Sequence, residues 1–206
     1  MYRWFLSLKQ PDGSFIVNHD AEVDIRGIYC LLVTATLLDM LTPELTHNTL
    51  NFIQSLQTYE GGFSASSQPY YSPTGELLGE PRPQMGEAHG GYTSCAVASL
   101  LLLRPLVDSS AKFPRIDTDA LLRWAAYMQG SEYAEGGGFR GRTNKLVDGC
   151  YGWWVGGCFA MIEELLHRGS GNTLAETNGV SKESVAASEE DWDDYDGISF
   201  ENSRRT

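Results

Sequence analysis

Between Gly138 and Tyr151 the sequence Gly-Phe-Arg-Gly-Arg-Thr-Asn-Lys-Leu-Val-Asp-Gly-Cys-Tyr sets three cations, Arg140, Arg142 and Lys145, within six residues. Arginine offers planar two-point hydrogen bonding to phosphate oxygens and lysine a mobile point charge, so Arg142 and Lys145 together suit a diphosphate. A solvated loop is the alternative, since charge runs are commonly just hydrated. Asp148 and Cys150 follow directly. One carboxylate and one thiolate suit zinc, which takes three or four N, O or S ligands. Equally, Asp148 before an apolar run suits a helix N-cap, and Cys150, like Cys30, Cys95 and Cys158, a small buried hydrophobe.

A second locus is Glu87-Ala-His-Gly-Gly-Tyr92. His89 can donate to a phosphate oxygen or cap a helix turn. Aligning the apolar runs on Tyr29, Tyr92 and Tyr151 puts Arg26, His89 and Asp148 three residues earlier, polar each time and chemically different. If these are helix starts, unpaired N–H groups and the positive dipole end favour an anion there. Tyr29, Tyr92, Trp153 and Trp154 at the same helix starts either line a tube for a long hydrocarbon or fill the core. His19, His47 and His167 have no constellation around them and read as surface residues.

The elements that must position these groups form a repeat. Phe5 to Gln10, Phe52 to Gln57 and Trp124 to Gln129 each place an aromatic five residues before a glutamine, and each leads to a Gly-x-Phe turn ending at Phe15, Phe63 or Phe139. Gln10 to Gln57 spans 47 residues, within the range of helical repeats. The first half of each repeat reads as an amphipathic helix, with start signals at Thr42-Pro43-Glu44 and Asp117-Thr-Asp119. The second halves, from Ile28, Tyr92 and Tyr151, are apolar on most faces and read as inner helices. The last of these is expected to stop at His167-Arg168-Gly169. Outer amphipathic helices alternating with inner buried ones predict an all-α, α/α toroid over residues 1–167, interrupted by a Pro-, Ser- and Gly-rich surface insertion at 64–86. Residues 168–206, rich in Ser, Asn, Glu and Asp, read as a disordered acidic tail.

Composition sets the outer limits. The 206 residues carry 27 acids and 15 Lys plus Arg, a net charge of −12, of which the tail holds −5. That balance excludes a sequence-independent grip on nucleic acid, so any anion must be bound locally. The chain has no apolar run of membrane-spanning length and no signal-peptide pattern, which predicts a cytoplasmic protein. Four cysteines without a Cys-x-x-Cys pair read as reduced thiols.

Gly141-Arg-Thr-Asn-Lys-Leu-Val-Asp-Gly-Cys-Tyr151 and Glu87-Ala-His-Gly-Gly-Tyr-Thr93, with Glu22-Val-Asp-Ile-Arg-Gly-Ile-Tyr-Cys30 and Lys9-Gln-Pro-Asp-Gly-Ser-Phe15, resemble the β subunits of protein prenyltransferases over residues 1–167. The Leu-Val-Asp-Gly-Cys-Tyr wording looks most like the farnesyl-transferring branch rather than the geranylgeranyl-transferring one. The resemblance implies an α/α toroid whose cavity binds farnesyl diphosphate, with Zn2+ activating the cysteine of a C-terminal CaaX peptide. By this match Asp148 and Cys150 are zinc ligands, and His89, Arg142, Lys145 and Tyr151 bind the diphosphate. Arg26, Tyr29, Tyr92, Cys95 and Trp154 match the isoprenoid pocket.

The resemblance further implies a heterodimer with a separate prenyltransferase α subunit, and leaves room for Mg2+ at the diphosphate. Its third zinc ligand is a histidine on a later inner helix, and nothing after residue 167 resembles that helix. About three helix pairs are visible, roughly half the number of the family barrel, so the chain reads as truncated. Two other readings stand beside this one. A terpene-cyclase-like toroid would need an acidic initiation motif, which is not evident outside the tail. A non-catalytic scaffold would use the acidic, aromatic segment 189–196 for docking.

Overall fold

A computed structural model of the chain describes residues 1–67, 83–107, 113 and 115–170. The chain divides into two units, Met1–Asn172 and Thr173–Thr206. The tail expected to be disordered, including its docking segment, lies outside the described residues from 171 onward, as do residues 68–82 of the insertion.

Helices dominate, in the order expected of the repeat: α1 Tyr2–Leu8, α2 Ile25–Leu37, α3 Pro43–Thr46, α4 Thr49–Ser55, α5 Gly90–Leu103, α6 Thr118–Tyr127, α7 Glu132–Glu135, α8 Cys150–Trp154 and α9 Gly156–Ser170. A 3-10 turn, Arg104–Leu106, follows α5. Strands β1 Ser66–Ser67 and β2 Gln84–Met85 pair antiparallel and close the base of the insertion. Among the described residues no helix is long and apolar enough to cross a membrane.

The outer helices bury one face each: Phe5 and Leu8 on α1, Phe52 and Ile53 on α4, and Leu121, Trp124 and Ala125 on α6. The inner helices stack in sequence, α2 on α5 and α5 on α8 and α9, with α4 against α5 and α6 against α9. Helix α5 is the most enclosed, burying Cys95, Ala96, Val97, Leu100 and Leu103. One apolar core runs through all three repeats. At ~1.5–3 kcal/mol for each large side chain taken from water, this shared core is what holds together helices too short to persist alone.

Turn geometry fixes the register of the repeats. Isolated antiparallel bridges pair Lys9 with Phe15, Gln57 with Phe63 and Gln129 with Phe139. The hydrogen bonds agree, since Ile16, Ser64 and Arg140 donate to the carbonyls of Leu8, Leu56 and Met128. Gln10 is therefore equivalent to Thr58 and Gly130, not to Gln57 and Gln129. The 47-residue glutamine period is one residue short, because the turn is counted from its glycine and phenylalanine. Gly13 and Gly61 sit at φ of 92° and 108°. A Cβ on either would lie 2.3 Å from the Asn48 carbonyl carbon or 2.1 Å from the Ala120 oxygen. Each turn thus abuts the backbone near the start of the next outer helix, where only glycine fits.

The glutamine has its own role in that junction. Gln57 accepts from the Asp117 N–H at 3.0 Å and donates to the Asp117 carbonyl at 2.9 Å, tying the second repeat to the N-cap of α6. Lys9, its equivalent, reaches the Thr49 hydroxyl at the start of α4 in the same way, at 3.2 Å.

Several expected helices differ in detail. Thr42 caps a helix with Pro43 at its first position, as expected, but that helix is the single turn α3. Asn48, at φ 59°, breaks the chain before α4 starts. The last inner helix is broken at Val155 into α8 and α9, and α9 runs one residue past Gly169 to Ser170. Helix α7, inside the enlarged third turn, has no counterpart in the sequence reading. It is capped by the Ser131 hydroxyl and ended by Gly136 at φ 73°.

Candidate functional site

The N-termini of the inner helices carry the polar groups. Asp24 caps α2 through the Arg26 N–H, and His89 caps α5 by accepting at Nδ1 from the Gly91 N–H. The Asp148 carboxylate accepts from the Cys150 N–H at 3.0 Å at the start of α8. In each case the acceptor stands two residues before its donor. The bridges Ile16 to Val23 and Arg140 to Val147 confirm that Asp24 and Asp148 are equivalent. The alignment on tyrosines therefore fails in the first repeat: Gly27, not Tyr29, occupies the position of Tyr92 and Tyr151, and Arg26 falls level with Gly91 and Cys150. The capping bond sets this register, and a tyrosine two residues out of step lies elsewhere on the helix.

His89, Tyr92, Tyr151 and Arg142 come together. The Tyr151 hydroxyl lies 3.1 Å from His89 Nε2, and the His89 ring meets those of Tyr92 and Tyr151 at 4.7 and 5.6 Å. Burial and then the neighbouring Arg142 and Arg26 push the His89 pKa below its usual value, with Glu87 opposing. Arg142 donates from Nη1 to Glu87 at 2.8 Å, and its loop is fastened to α5 by the Gly90 N–H on the Gly141 carbonyl. Gly141 lies directly over Tyr151, where a Cβ would fall 2.0 Å from the ring. Close packing, not a turn, demands this glycine.

Lys145 follows Arg142 in a turn closed by its own N–H on the Arg142 carbonyl, with Asn144 at φ 61°. The same turn occurs in the first repeat at residues 18–21, where Ala21 donates to Asn18 and Asp20 has φ 61°. Asn18 and Ala21 there hold the positions of Arg142 and Lys145. The turn itself demands no cation. Arg140 belongs to a different pair, with Glu135 at 2.5 Å.

Asp148 and Cys150 are exposed, as is Cys30, so neither Cys30 nor Cys150 is the small buried hydrophobe that cysteine usually is; Cys95 and Cys158 are. Position explains the difference, since Cys150 opens α8 at the surface while Cys95 and Cys158 face the packed inner helices. The Cys150 N–H lowers the Asp148 pKa, while desolvation and then Asp148 raise that of Cys150. A carboxylate and a thiol at this spacing have the donor chemistry of a zinc site. Among the described residues they are not joined by a third His, Cys, Asp or Glu in a metal-sized group.

The residues matched to an isoprenoid pocket lie along the same helix starts. Arg26 forks onto Asp24 through Nε and Nη2 and lies over the Tyr92 ring at 5.3 Å. Tyr29, Tyr92 and Trp154 are half-buried and Cys95 is buried. Trp153 is 76% exposed and fills no core among the described residues. His19 and His47 are exposed as expected, although His19 reaches the Ser7 hydroxyl at 3.4 Å.

Two carboxylates border the site without a role in the sequence reading: Glu87, which heads the His89 motif, and Glu60, which stands outside every motif quoted. Glu60 accepts from the Thr143 hydroxyl and from the Ala88 N–H, both at 3.0 Å. Their adjacency to Gly61-Gly-Phe63 and to His89 was the available signal.

Comparison with known proteins supplies the family. The model of the prenyltransferase alpha-alpha toroid domain matches residues 1–195. The chain is 39% identical over 165 residues to protein farnesyltransferase subunit beta of Pisum sativum, covering 80% of this chain and 33% of that protein. With its counterpart in Saccharomyces cerevisiae it shares 44% over 164 residues, covering 79% and 32%. Geranylgeranyl transferase type-1 subunit beta of Arabidopsis thaliana is 34% identical over 162 residues, covering 76% and 38%. The chain thus spans about a third of the length of these relatives. Among solved structures, Candida albicans protein geranylgeranyltransferase-I complexed with GGPP is similar in fold, with TM-score 0.56 and 22% identity over 87% of this chain and 51% of that one.

Proposed function

The chain belongs to the prenyltransferase alpha-alpha toroid family, and from that premise we propose that it acts as a protein farnesyltransferase β subunit. In this reading farnesyl passes from farnesyl diphosphate to the cysteine sulfur of a CaaX terminus. A carbon–sulfur bond forms at C1 of the isoprenoid, the C1–oxygen bond breaks, and diphosphate leaves with the electron pair. The convergence of His89, Tyr151 and Arg142 at the starts of α5 and α8 carries the proposal. The farnesyltransferase relatives support farnesyl over geranylgeranyl as the group transferred.

In this scheme Arg142 and Lys145 offset the charge growing on the departing diphosphate. Because Nδ1 of His89 accepts from the Gly91 N–H, the ring proton resides on Nε2 and is donated to the Tyr151 oxygen. The Tyr151 proton is then free to meet a diphosphate oxygen. Asp148 and Cys150 would hold zinc, completed by a ligand from outside the described residues. When bound, zinc favours the thiolate form of the peptide cysteine at neutral pH. Tyr29, Tyr92, Cys95, Trp154 and the stem of Arg26 would flank the isoprenoid, and a prenyltransferase α subunit would complete the heterodimer. Mg2+ is compatible with the diphosphate site.

The test is co-expression with a prenyltransferase α subunit, followed by zinc analysis and transfer assays with farnesyl and geranylgeranyl diphosphate on CaaX peptides. Cys150→Ala is expected to lose zinc and thioether formation while keeping farnesyl diphosphate binding. Unchanged zinc content in that variant would remove the metal assignment.

A further inference from the structure

The loop that carries Arg142 is gripped at three consecutive residues from the preceding repeat. The Gly90 N–H donates to the Gly141 carbonyl at 2.8 Å. Arg142 Nη1 donates to Glu87 at 2.8 Å, and the Thr143 hydroxyl donates to Glu60 at 3.0 Å. The second oxygen of Glu60 accepts from the Ala88 N–H, one residue before His89. Glu60, Glu87 and the start of α5 therefore form one continuous edge against which the 141–143 segment is laid. Resting on the diphosphate reading above, we propose that Glu87 and Glu60 are positioning residues, which hold Arg142 ordered before its anion arrives.

Charge alone argues against carboxylates at this place, because each opposes the approach of a diphosphate. Their stabilising value is small as well, since the Arg142 and Glu87 side chains are 42% and 46% exposed and exposed ion pairs contribute little. What they supply is geometry. Arg26 spends both Nε and Nη2 on Asp24, whereas Arg142 is held through Nη1 alone among the described residues, leaving its Nε and Nη2 edge for a second, two-point partner. A long side chain fixed by one arm loses less freedom on binding than one free in solvent.

The experiment titrates inorganic diphosphate into the full 206-residue chain by calorimetry, with circular dichroism confirming that each variant is folded. Glu87→Ala is expected to weaken binding about three- to tenfold, the loss that accompanies ordering one rotamer-rich side chain on binding. Glu87→Gln keeps an acceptor for Nη1 without the opposing charge and is expected to restore the lost affinity. Thr143→Val, which cuts only the Glu60 grip, is expected to weaken binding in the same direction without touching any cation. If Glu87→Ala and Thr143→Val bind as tightly as the parent or tighter while Arg142→Ala binds more weakly, the positioning role is overturned and the diphosphate site stands. If Arg142→Ala has no effect, or the parent does not bind, the diphosphate reading itself falls and takes this inference with it.

Discussion

The Tyr151 hydroxyl and His89 Nε2 meet at 3.1 Å across 62 residues of sequence, and the Gly91 N–H on the far side of the imidazole decides which of them donates. His89 is expected to be neutral and Nε2-protonated at pH 7, with its titration midpoint below 6.5, because burial and then Arg142 and Arg26 disfavour the cation. The unfolded chain takes up that proton first as pH falls, so protonation should cost stability below about pH 6.5. Nitrogen-15 NMR of the imidazole reads both quantities. A cationic ring or an Nδ1-protonated tautomer at pH 7 would contradict the geometry.

Gly141→Ala is expected to break this pair without altering either partner, since the new Cβ would fall 2.0 Å from the Tyr151 ring. Its effect on diphosphate affinity should match that of Tyr151→Phe, and the double variant should be no worse than either single one. Additive losses would mean that the glycine serves the loop rather than the tyrosine.

Asp24 caps α2 and holds the Arg26 fork, all while 6% exposed. Asp24→Ala is expected to cost about 1–2 kcal/mol, as removal of an N-cap acceptor does. Asp24→Asn keeps the acceptor and should lose less. Urea unfolding of the two variants checks the order, and equal losses would assign the stability to the ion pair instead.

Lys9 is held at a pKa of about 8, against an ordinary 10.5, because burial outweighs the favourable charge of Asp12. Below about pH 8 the lysine is charged in both the folded and the unfolded chain, and its burial penalty is fully present. Between pH 8 and 10.5 only the unfolded chain keeps the proton, so the penalty fades as pH rises. Lys9→Gln, which places in the first repeat the side chain that Gln57 has in the second, should melt higher than the parent below pH 8. That advantage should vanish by pH 10.5. A constant difference across the window would assign the effect to packing.

The helices and the Gly-x-Phe turns were legible because local chemistry writes them. Thr42, Asp117 and the turn glycines are read from their immediate neighbours, and the structure uses them as expected. The register was not legible in the first repeat. Gln10 and Tyr29 are chemically right and positionally wrong, because turn hydrogen bonds and N-caps, which side-chain identity does not reveal, set the equivalence. His89, Arg142 and Tyr151 were recognisable singly, yet their contact depends on α5 packing against α8. No role for Glu60 or Glu87 was legible because carboxylates are not what an anion site calls for, and their partners stand 83 and 55 residues away.

The turn at residues 142–145 and its twin at 18–21 share a backbone and differ in charge. Folding information in this segment resides in the valine before each capping aspartate and in the left-handed residue, Asp20 or Asn144, whereas Arg142 and Lys145, the cations proposed to meet the diphosphate, stand at the first and fourth turn positions. The two sets of positions do not overlap. Charge could therefore be gained, lost or moved between repeats during the history of such a chain without a folding cost, so new binding specificity is accessible by single substitutions on a scaffold that need not change.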